Sequence, residues 1–440
     1  MIQNLPRKRA LAATFASSVW IQLLTVISGV LTARLLQPEG RGLLAAVFIW
    51  PAVLGSIALL GLNNTLAISA ARERVKLGRQ TRVALLVGGA SSLGLMLLGW
   101  FLCPWFVPAE TLQLNRLTLL YIPLFVLTAH LMAIDQGSGN FRRFNIARNI
   151  LNPVYLLFVL AFWFFGIRAV IWFVAAQLSG NFAVLLYRLA AMKRDDWTQG
   201  DQPLDERKLI RSGIPFFLAS VAYIVRDNID RVLLLFLLGP APLGLYVVAL
   251  TASGAHMTLS KSFNLVIFAR SAALSKDEAM ADTAKIFRMM CVVNTIFGLA
   301  LAAALPWLIP LLFGPSFSGS VVPAILLVAA QLLLAQGSLL EESLRAQNKP
   351  FYGVIGLVIT ISVFTVIGAL LVPHFGVAGA AVASIVAQFG FCIFMCAVLK
   401  RFQPAARLRP GLADVRSLLA NTAQIRRVLR ERFTGSAAVP

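Results

Sequence analysis

Two arginines and two aspartates lie within seven residues of each other, in a stretch of the chain that is otherwise apolar (residues 225–231). On an α-helix, Arg226, Asp227, Asp230 and Arg231 fall within about 140° of arc, so they share one face. Arg226 and Asp230 are four residues apart, and so are Asp227 and Arg231. Opposite charges at this spacing can pair on a helix.

Each of these charges is expensive if the stretch crosses a membrane. A charged side chain at the bilayer centre costs about 2.5–3.5 kcal/mol on insertion scales, so four unpaired charges would cost on the order of 10 kcal/mol. The four groups must therefore pair with one another as a structural interlock, or face a water-filled cavity, or do both. The sequence leaves both interpretations open, and the cavity interpretation makes this stretch a binding site.

Further polar residues in apolar stretches are candidates for the same cavity. Lys261 has no acidic residue on its own helix face, and His256, Ser260 and Asn264 lie near it. Thr14, Ser18, Gln22, Thr25, Gly29 and Thr32 recur at helical spacing near the N-terminus, although Ser and Thr in membrane helices often only pack helices together. The candidate cavity residues are Arg226, Asp227, Asn228, Asp230, Arg231, Lys261, Asn264, Gln22, Asn63 and Asn64.

Composition indicates what positions these residues. The chain has 440 residues, of which 59% are hydrophobic and only 13% are charged. Apolar runs long enough to cross a hydrocarbon core of about 30 Å recur from end to end. The sequence therefore predicts an all-α polytopic membrane protein with twelve transmembrane helices. They cover residues 10–36, 42–70, 80–103, 112–134, 145–165, 168–190, 209–238, 243–269, 284–312, 319–344, 351–372 and 377–399.

The distribution of basic residues predicts the topology. Most of the 39 Lys and Arg residues fall in the N-terminal segment, in every second loop and in the C-terminal tail. The other loops carry only Arg34, Arg41, Arg116 and Arg168. Because basic loops stay in the cytoplasm, both termini are predicted to be cytoplasmic. This topology accounts for most of the net charge of +21 without nucleic-acid binding.

An internal repeat divides the chain. Residues 35–43 (LLQPEGRGL) match residues 237–245 (LLGPAPLGL). The predicted organisation is an N-terminal six-helix lobe (1–194), a cytoplasmic linker (195–207), a C-terminal six-helix lobe (208–401) and a basic tail (402–440) that is either an amphipathic helix or disordered. Six spans per copy make the two repeats parallel, with a central cavity between them. Arg34, Gly42 and Gly244 mark the predicted periplasmic turns and a gate.

These motifs resemble the polysaccharide transporter branch of the multidrug/oligosaccharidyl-lipid/polysaccharide (MOP) exporter superfamily. The resemblance rests on the two Leu-x-Pro-x-x-x-Gly copies (36–42 and 238–244), on residues 312–317 (LFGPSF) and on residues 344–350 (LRAQNKP), in this order. It covers all twelve predicted helices. No one motif is specific by itself, but their order and spacing are.

The resemblance implies a flippase, not an enzyme. Such proteins move undecaprenyl-diphosphate-linked oligosaccharide repeat units from the cytoplasmic to the outer leaflet of the bacterial inner membrane, by alternating access. The units then serve O-antigen, capsule or exopolysaccharide synthesis. The implied partners are the lipid-linked oligosaccharide, membrane lipids and a polysaccharide polymerase or assembly protein. No cofactor or metal is expected, and the sequence does not distinguish H⁺ from Na⁺ coupling.

Three alternatives remain open. A multidrug cation antiporter of the same superfamily is expected to carry an acidic residue in its first helix, and none occurs between Arg9 and Glu39. A lipid II flippase is expected to have fourteen helices. A membrane polysaccharide polymerase usually has a large outer loop with acidic residues, and the predicted outer loops are all short.

Overall fold

The fold was analysed in a computed structural model that describes residues 5–72, 77–192, 205–254, 257, 276–347, 349–404 and 407–411. Every regular element in these ranges is helical. Twelve α-helices run in chain order as α1 Leu5–Ala58, α2 Leu62–Arg72, α3 Leu77–Phe106, α4 Leu112–Thr118, α5 Tyr121–Gly137, α6 Phe141–Phe165, α7 Val170–Ala190, α8 Glu206–Leu238, α9 Pro240–Ser253, α10 Lys276–Phe313, α11 Val321–Ala346 and α12 Phe351–Phe402. Short 3₁₀ turns precede α4 and α11.

The numbering of these elements does not follow the predicted spans one to one. Two long helices contain a kink. α12 bends at Gly376 and holds two predicted spans, and α1 bends at Gln37 and holds the first predicted span and part of the second. Among the described residues, nine helices are long and apolar enough to cross a membrane. Large apolar side chains such as Phe101, Trp105 and Phe164 remain exposed on them, as expected where lipid replaces water. The chain is a multi-pass membrane protein, and the count of twelve spans stays a prediction.

Two predicted spans are interrupted. The fourth (112–134) is divided into α4 and α5 by a turn at residues 119–120. The second predicted helix (42–70) stops at Ala58, and a turn with Leu60 at φ 51° and Gly61 at φ 67° separates it from α2. The turn lies against α8, because a side chain at Gly61 would overlap the carbonyl oxygen of Gly213. Hydrophobic periodicity does not reveal such a break, because both sides of the turn are apolar.

The described contacts divide the chain into two compact units. The first unit comprises Met1–Thr251, Ile309–Ser320 and Val372–Val377, and one of its core clusters joins α1, α6 and α7 around Val47, Phe162 and Phe173. The second unit comprises Ala252–Leu308, Val321–Leu371 and Ala378–Pro440, with a core around Leu340 and Phe391. The division into six-helix lobes at 195–207 stays a prediction.

A buried ion pair ties α5 to α7 in the first unit. The Nε atom of Arg188 lies 2.7 Å from Oδ2 of Asp135, and both side chains are only 3% exposed. Arg188 also donates a hydrogen bond to the carbonyl oxygen of Leu131. Removing one partner of such a pair leaves a buried charge uncompensated, so the pair makes the α5–α7 packing strongly dependent on both residues.

Candidate functional site

A polar cavity of about 430 Å³ lies inside the first unit, between α1, α5, α6, α7, α8 and α9. This volume falls within the range typical of small-molecule sites. The residues that line it are Thr25, Ser28, Gly29, Thr32, Arg41, Leu44, Ala45, Phe48, Ala52, Tyr121, Asn152, Tyr155, Phe173, Gln177, Arg231, Val247 and Thr251. Two of them are arginines and none is acidic.

One arginine comes from each of the two predicted six-helix lobes. Arg41 begins the second half of α1 directly after the Gln37 kink, and Arg231 lies in α8. They are close enough to interact electrostatically. The Nε atoms of both are buried without a hydrogen-bond partner, and neither guanidinium forms an ion pair with a carboxylate in the described part of the chain. A cavity in a membrane span that holds two such guanidinium groups is suited to an anion.

Polar groups on α1, α6 and α7 complete the wall. Thr32 and Tyr155 share a hydrogen bond of 3.1 Å between their hydroxyl groups, which joins α1 to α6. Asn152 and Gln177 add amide groups, which can donate and accept hydrogen bonds. Thr25, Gly29 and Thr32 belong to the polar stripe predicted for the first helix, so part of that stripe does line the cavity.

The four charged residues at 226–231 in α8 do not pair as their spacing predicts. Nε and Nη2 of Arg226 donate to Oδ1 of the adjacent Asp227 at 2.9 and 2.8 Å, instead of reaching Asp230. The guanidinium also lies 5.2 Å from the ring centre of Tyr223. Asp227 is 58% exposed, and neither residue of this pair lines the cavity. Of the four predicted charges, the structure places only Arg231 in the cavity wall.

Asp230 is held by neutral donors, which explains why the predicted pair with Arg226 does not form. Its Oδ2 atom accepts a hydrogen bond of 2.9 Å from the hydroxyl group of the buried Tyr246 in α9, and Oδ1 accepts one of 2.8 Å from the backbone N–H of Arg231. The carboxylate is thus anchored on α9, next to a cavity arginine. Asn228 donates a hydrogen bond of 2.9 Å to the carbonyl oxygen of Ile224 on its own helix.

The remaining predicted cavity residues have other positions. Asn63 and Asn64 lie at the start of α2, where they hydrogen-bond each other at 3.4 Å. Gln22 is half-buried on α1 and is not among the residues lining the cavity. Lys261, Asn264, His256, Ser260 and the side chain of Thr14 lie outside the described residues.

The predicted gate residues meet at a backbone crossing. A Cβ atom on Gly42 would overlap the carbonyl oxygen of Pro240, and one on Gly244 would overlap the carbonyl oxygen of Pro38. The two copies of the Leu-x-Pro-x-x-x-Gly motif therefore contact each other reciprocally. The residues before the prolines also match: Gln37 has φ 58° and ψ 178°, and Gly239 has φ 84° and ψ −171°. The internal repeat is thus visible in the backbone at this point.

Arg34 makes a second link near this crossing. Its guanidinium group donates hydrogen bonds to the carbonyl oxygens of Leu311 and Leu312 in the last turn of α10, the second at 2.6 Å. Those carbonyl groups lie at the negative end of the helix dipole, where a cation is favourable. The hydroxyl group of Ser320 donates a hydrogen bond of 2.8 Å to the carbonyl oxygen of Leu245. Side-chain and backbone contacts thus surround the two motifs at this end of the first unit.

Sequence reasoning missed several of the cavity residues. Arg41 was assigned to an outer turn because it follows the Gln-Pro-Glu-Gly signal, whereas α1 resumes at Pro38 and turns Arg41 inward. Asn152 and Tyr155 continue a polar pattern on α6 that begins at Asn145. That spacing of three and four residues is the signal from which this wall could have been predicted.

Comparison with known proteins identifies a family for more than half of the chain. Residues 9–269 match the family described as polysaccharide biosynthesis protein. No curated protein matches the sequence.

Solved structures share the fold at low sequence identity. The chain resembles the lipid II flippase MurJ in an inward closed conformation, with 14% identity, a TM-score of 0.71, and 97% of this chain and 94% of that one covered. It resembles an inward-facing multidrug resistance MATE family transporter of the MOP superfamily, with 15% identity, a TM-score of 0.64, and 88% and 96% covered. A MOP superfamily transporter from Pyrococcus furiosus aligns with 14% identity, a TM-score of 0.63, and 90% and 96% covered.

Proposed function

The chain belongs to the polysaccharide biosynthesis protein family, and we propose that it is a flippase that carries undecaprenyl-diphosphate-linked oligosaccharide repeat units to the outer leaflet of the bacterial inner membrane. The cavity in the first unit binds the diphosphate, and a polysaccharide polymerase or assembly protein takes up the product. The observation that carries this proposal is a wall with two arginines and no acidic residue among those that line it.

The chemistry of the substrate explains why such a wall is needed. A diphosphate with attached sugars is anionic and polar, so it cannot cross about 30 Å of hydrocarbon unaided. Arg41 and Arg231 supply guanidinium groups, whose planar donors match phosphate oxygens. Asn152, Tyr155 and Gln177 supply neutral donors and acceptors for sugar hydroxyl groups. The buried Nε atoms of Arg41 and Arg231 have no hydrogen-bond partner, so phosphate oxygens that reach them add hydrogen bonds without breaking any made within the protein.

The test measures in which leaflet the lipid-linked repeat units accumulate. Cells depleted of the protein should accumulate complete, unpolymerised repeat units linked to lipid on the cytoplasmic leaflet. Cells that carry only Arg41→Gln or Arg231→Gln should show the same accumulation, with export reduced about tenfold or more, because each arginine contributes charged hydrogen bonds worth about 1.5–3 kcal/mol. Accumulation on the outer leaflet would contradict the proposal and indicate a defect in polymerisation or ligation.

A matched control separates charge in the cavity from charge elsewhere. Arg168 is exposed in the turn before α7, away from the cavity wall, so Arg168→Gln removes the same charge without touching the site. This variant should export normally. All variants should be present in the membrane at equal amounts, which immunoblotting of membrane fractions checks.

Multidrug cation export is the competing function within this fold. A cation would need a carboxylate in the cavity, and the lining residues include none. Depleted cells that show no lipid-linked intermediate but become sensitive to cationic drugs would favour this function over the flippase.

A further inference from the structure

A second polar cluster lies between α1 and α6, outside the cavity. The Nη2 atom of Arg148 donates a hydrogen bond of 3.2 Å to the hydroxyl oxygen of Ser18. Beside it, the Nδ2 atom of Asn149 donates bonds of 2.8 Å to the hydroxyl oxygen of Ser17 and 2.6 Å to the carbonyl oxygen of Asn145. Arg148 and Asn149 lie in the second turn of α6, on the predicted cytoplasmic side.

The charge of Arg148 is positioned but not neutralised. Its guanidinium lies 5.3 Å from the ring centre of Phe144, and its hydrogen bond goes to a neutral hydroxyl group. Within the described ranges it forms no ion pair with a carboxylate. By contrast, Arg188 and Arg143 share the carboxylate of Asp135. A fixed, half-buried cation without a carboxylate partner is a site for an anion. The Oδ1 atom of Asn149 is also buried without a partner, and as an acceptor it suits a hydroxyl group of the substrate and not a phosphate oxygen.

This cluster is aligned with the cavity. On α1, Ser18, Gln22 and Thr25 recur at intervals of four and three residues, which places them on one helix face. Thr25 lines the cavity, and Ser18 lies about 10 Å from it along the helix axis. On α6, Asn149, Asn152 and Tyr155 recur every three residues, and the last two line the cavity. Two facing polar stripes thus lead from Arg148 to the cavity.

We propose that Arg148, fixed by Ser18 and Phe144, is a separate loading site that binds the diphosphate of the lipid-linked substrate at the predicted cytoplasmic leaflet before it reaches Arg41 and Arg231. This inference rests on the proposed function and deepens it. The loading site selects the diphosphate by charge, and the α1–α6 stripes supply hydrogen bonds along the path. Substrate therefore occupies two positions in turn.

Photo-crosslinking tests the two positions independently. A benzophenone amino acid replaces Phe144 at the loading site or Phe48 in the cavity wall, in the full chain reconstituted in phosphatidylcholine nanodiscs. The probe is radiolabelled farnesyl diphosphate. Capture is expected at both positions. In an Arg41→Gln/Arg231→Gln background, capture at position 48 should disappear while capture at position 144 remains.

Substitutions at Arg148 decide the role of the guanidinium. In that cavity-disabled background, Arg148→Gln should lower capture at position 144 about tenfold or more, and Arg148→Lys should lower it less. Arg142→Gln is the control, because Arg142 is exposed on the same helix and makes the same change in net charge. When Arg142→Gln is added to the cavity-disabled background, capture at position 144 should equal that of the background alone.

The outcomes separate this inference from the function on which it rests. Capture at position 48 with none at position 144, or capture at 144 that does not depend on Arg148, overturns the loading site and leaves the flippase standing. Capture at 144 that disappears with Arg41 and Arg231 shows a single continuous site, which also overturns it. Absence of capture at both positions in the unsubstituted cavity contradicts the proposed function and this inference together.

Discussion

Gly42 and Gly244 face each other across a crossing in which each lies against the backbone of the other's motif. A side chain on either glycine would overlap a proline carbonyl oxygen of the opposite copy, and would approach the backbone nitrogen of the opposite glycine to about 3 Å. Neither helix could approach so closely with any other residue at these positions. At these two glycines the contact is therefore between main-chain atoms, on the side predicted to be periplasmic.

Adding one methyl group to this crossing is expected to open it. Gly42→Ala or Gly244→Ala forces the two backbones apart, with an overpacking cost of about 1–3 kcal/mol. In a cysteine-free background, Thr25→Cys in the cavity should then react faster with a membrane-impermeant maleimide added from outside. Gly94→Ala is the control, because a Cβ atom there meets no other atom within 4 Å. Equal labelling of all variants would show that the crossing does not close the cavity.

The kink before Pro38 should be strained, because Gln37 adopts a backbone conformation that is almost restricted to glycine (φ 58°, ψ 178°). Such a residue costs of order 1–3 kcal/mol. Gln37→Gly should therefore raise the midpoint of thermal unfolding in detergent. The reverse experiment is Gly239→Ala, which introduces the same strain in the second copy and should lower that midpoint. A fall in both variants would mean that the hydrogen bond from Gln37 to the carbonyl oxygen of Arg34 outweighs the strain.

Arg231 and Arg226 should differ strongly in their contribution to export, although they lie five residues apart on α8. Arg231 lines the cavity, whereas Arg226 pairs with the exposed Asp227. Arg231→Gln is expected to reduce export about tenfold or more. Arg226→Gln changes a side chain outside the cavity wall, so export per protein molecule should fall less than about fivefold, which corresponds to about 1 kcal/mol. Quantifying surface polysaccharide at equal protein levels provides the comparison, and the opposite ranking would relocate the binding site to the Arg226 side of the helix.

The buried pair between Asp135 and Arg188 should dominate the stability of the α5–α7 packing. Arg188→Ala leaves the buried Asp135 carboxylate without its 2.7 Å partner and with Arg143 at 3.9 Å, at a cost of up to about 3–5 kcal/mol. The double variant Asp135→Asn/Arg188→Gln removes both charges and should recover part of this loss. Thermal unfolding in detergent measures the series, with Arg142→Gln as an exposed control. If the double variant is no more stable than Arg188→Ala, the loss comes from packing or hydrogen bonds and not from the poorly compensated carboxylate charge.

The sequence predicted the positions of some cavity residues correctly and misplaced others. Helical periodicity identified Arg231 and part of the α1 stripe, because polar groups in a membrane span are rare enough to be informative. It did not predict that Arg226 binds Asp227, since several partners lie within reach of a long side chain and tertiary contacts decide between them. Tyr246, from the next helix, holds Asp230. Arg41 was misplaced because a kink and a loop share the same Pro and Gly signals.

The gross fold was more predictable than its breaks. Apolar length and loop charge predict spans, because the bilayer imposes both. The turn at Leu60 and Gly61 is set by the close approach of α8, and no local property of the sequence records that contact.

The reciprocal contact of the two motifs has the form of an isologous interface, in which residue i of one partner meets residue j of the other and j meets i. Homodimers with two-fold symmetry are built in this way. A homodimer of one predicted six-helix lobe could form this crossing with a single glycine position, contributed once by each subunit. Once the copies are joined in one chain, each glycine is constrained by a proline encoded some 200 residues away. A substitution in one motif is then tolerated only if the other motif accommodates it. The sequences of the two motifs are therefore more constrained than the rest of the two predicted lobes.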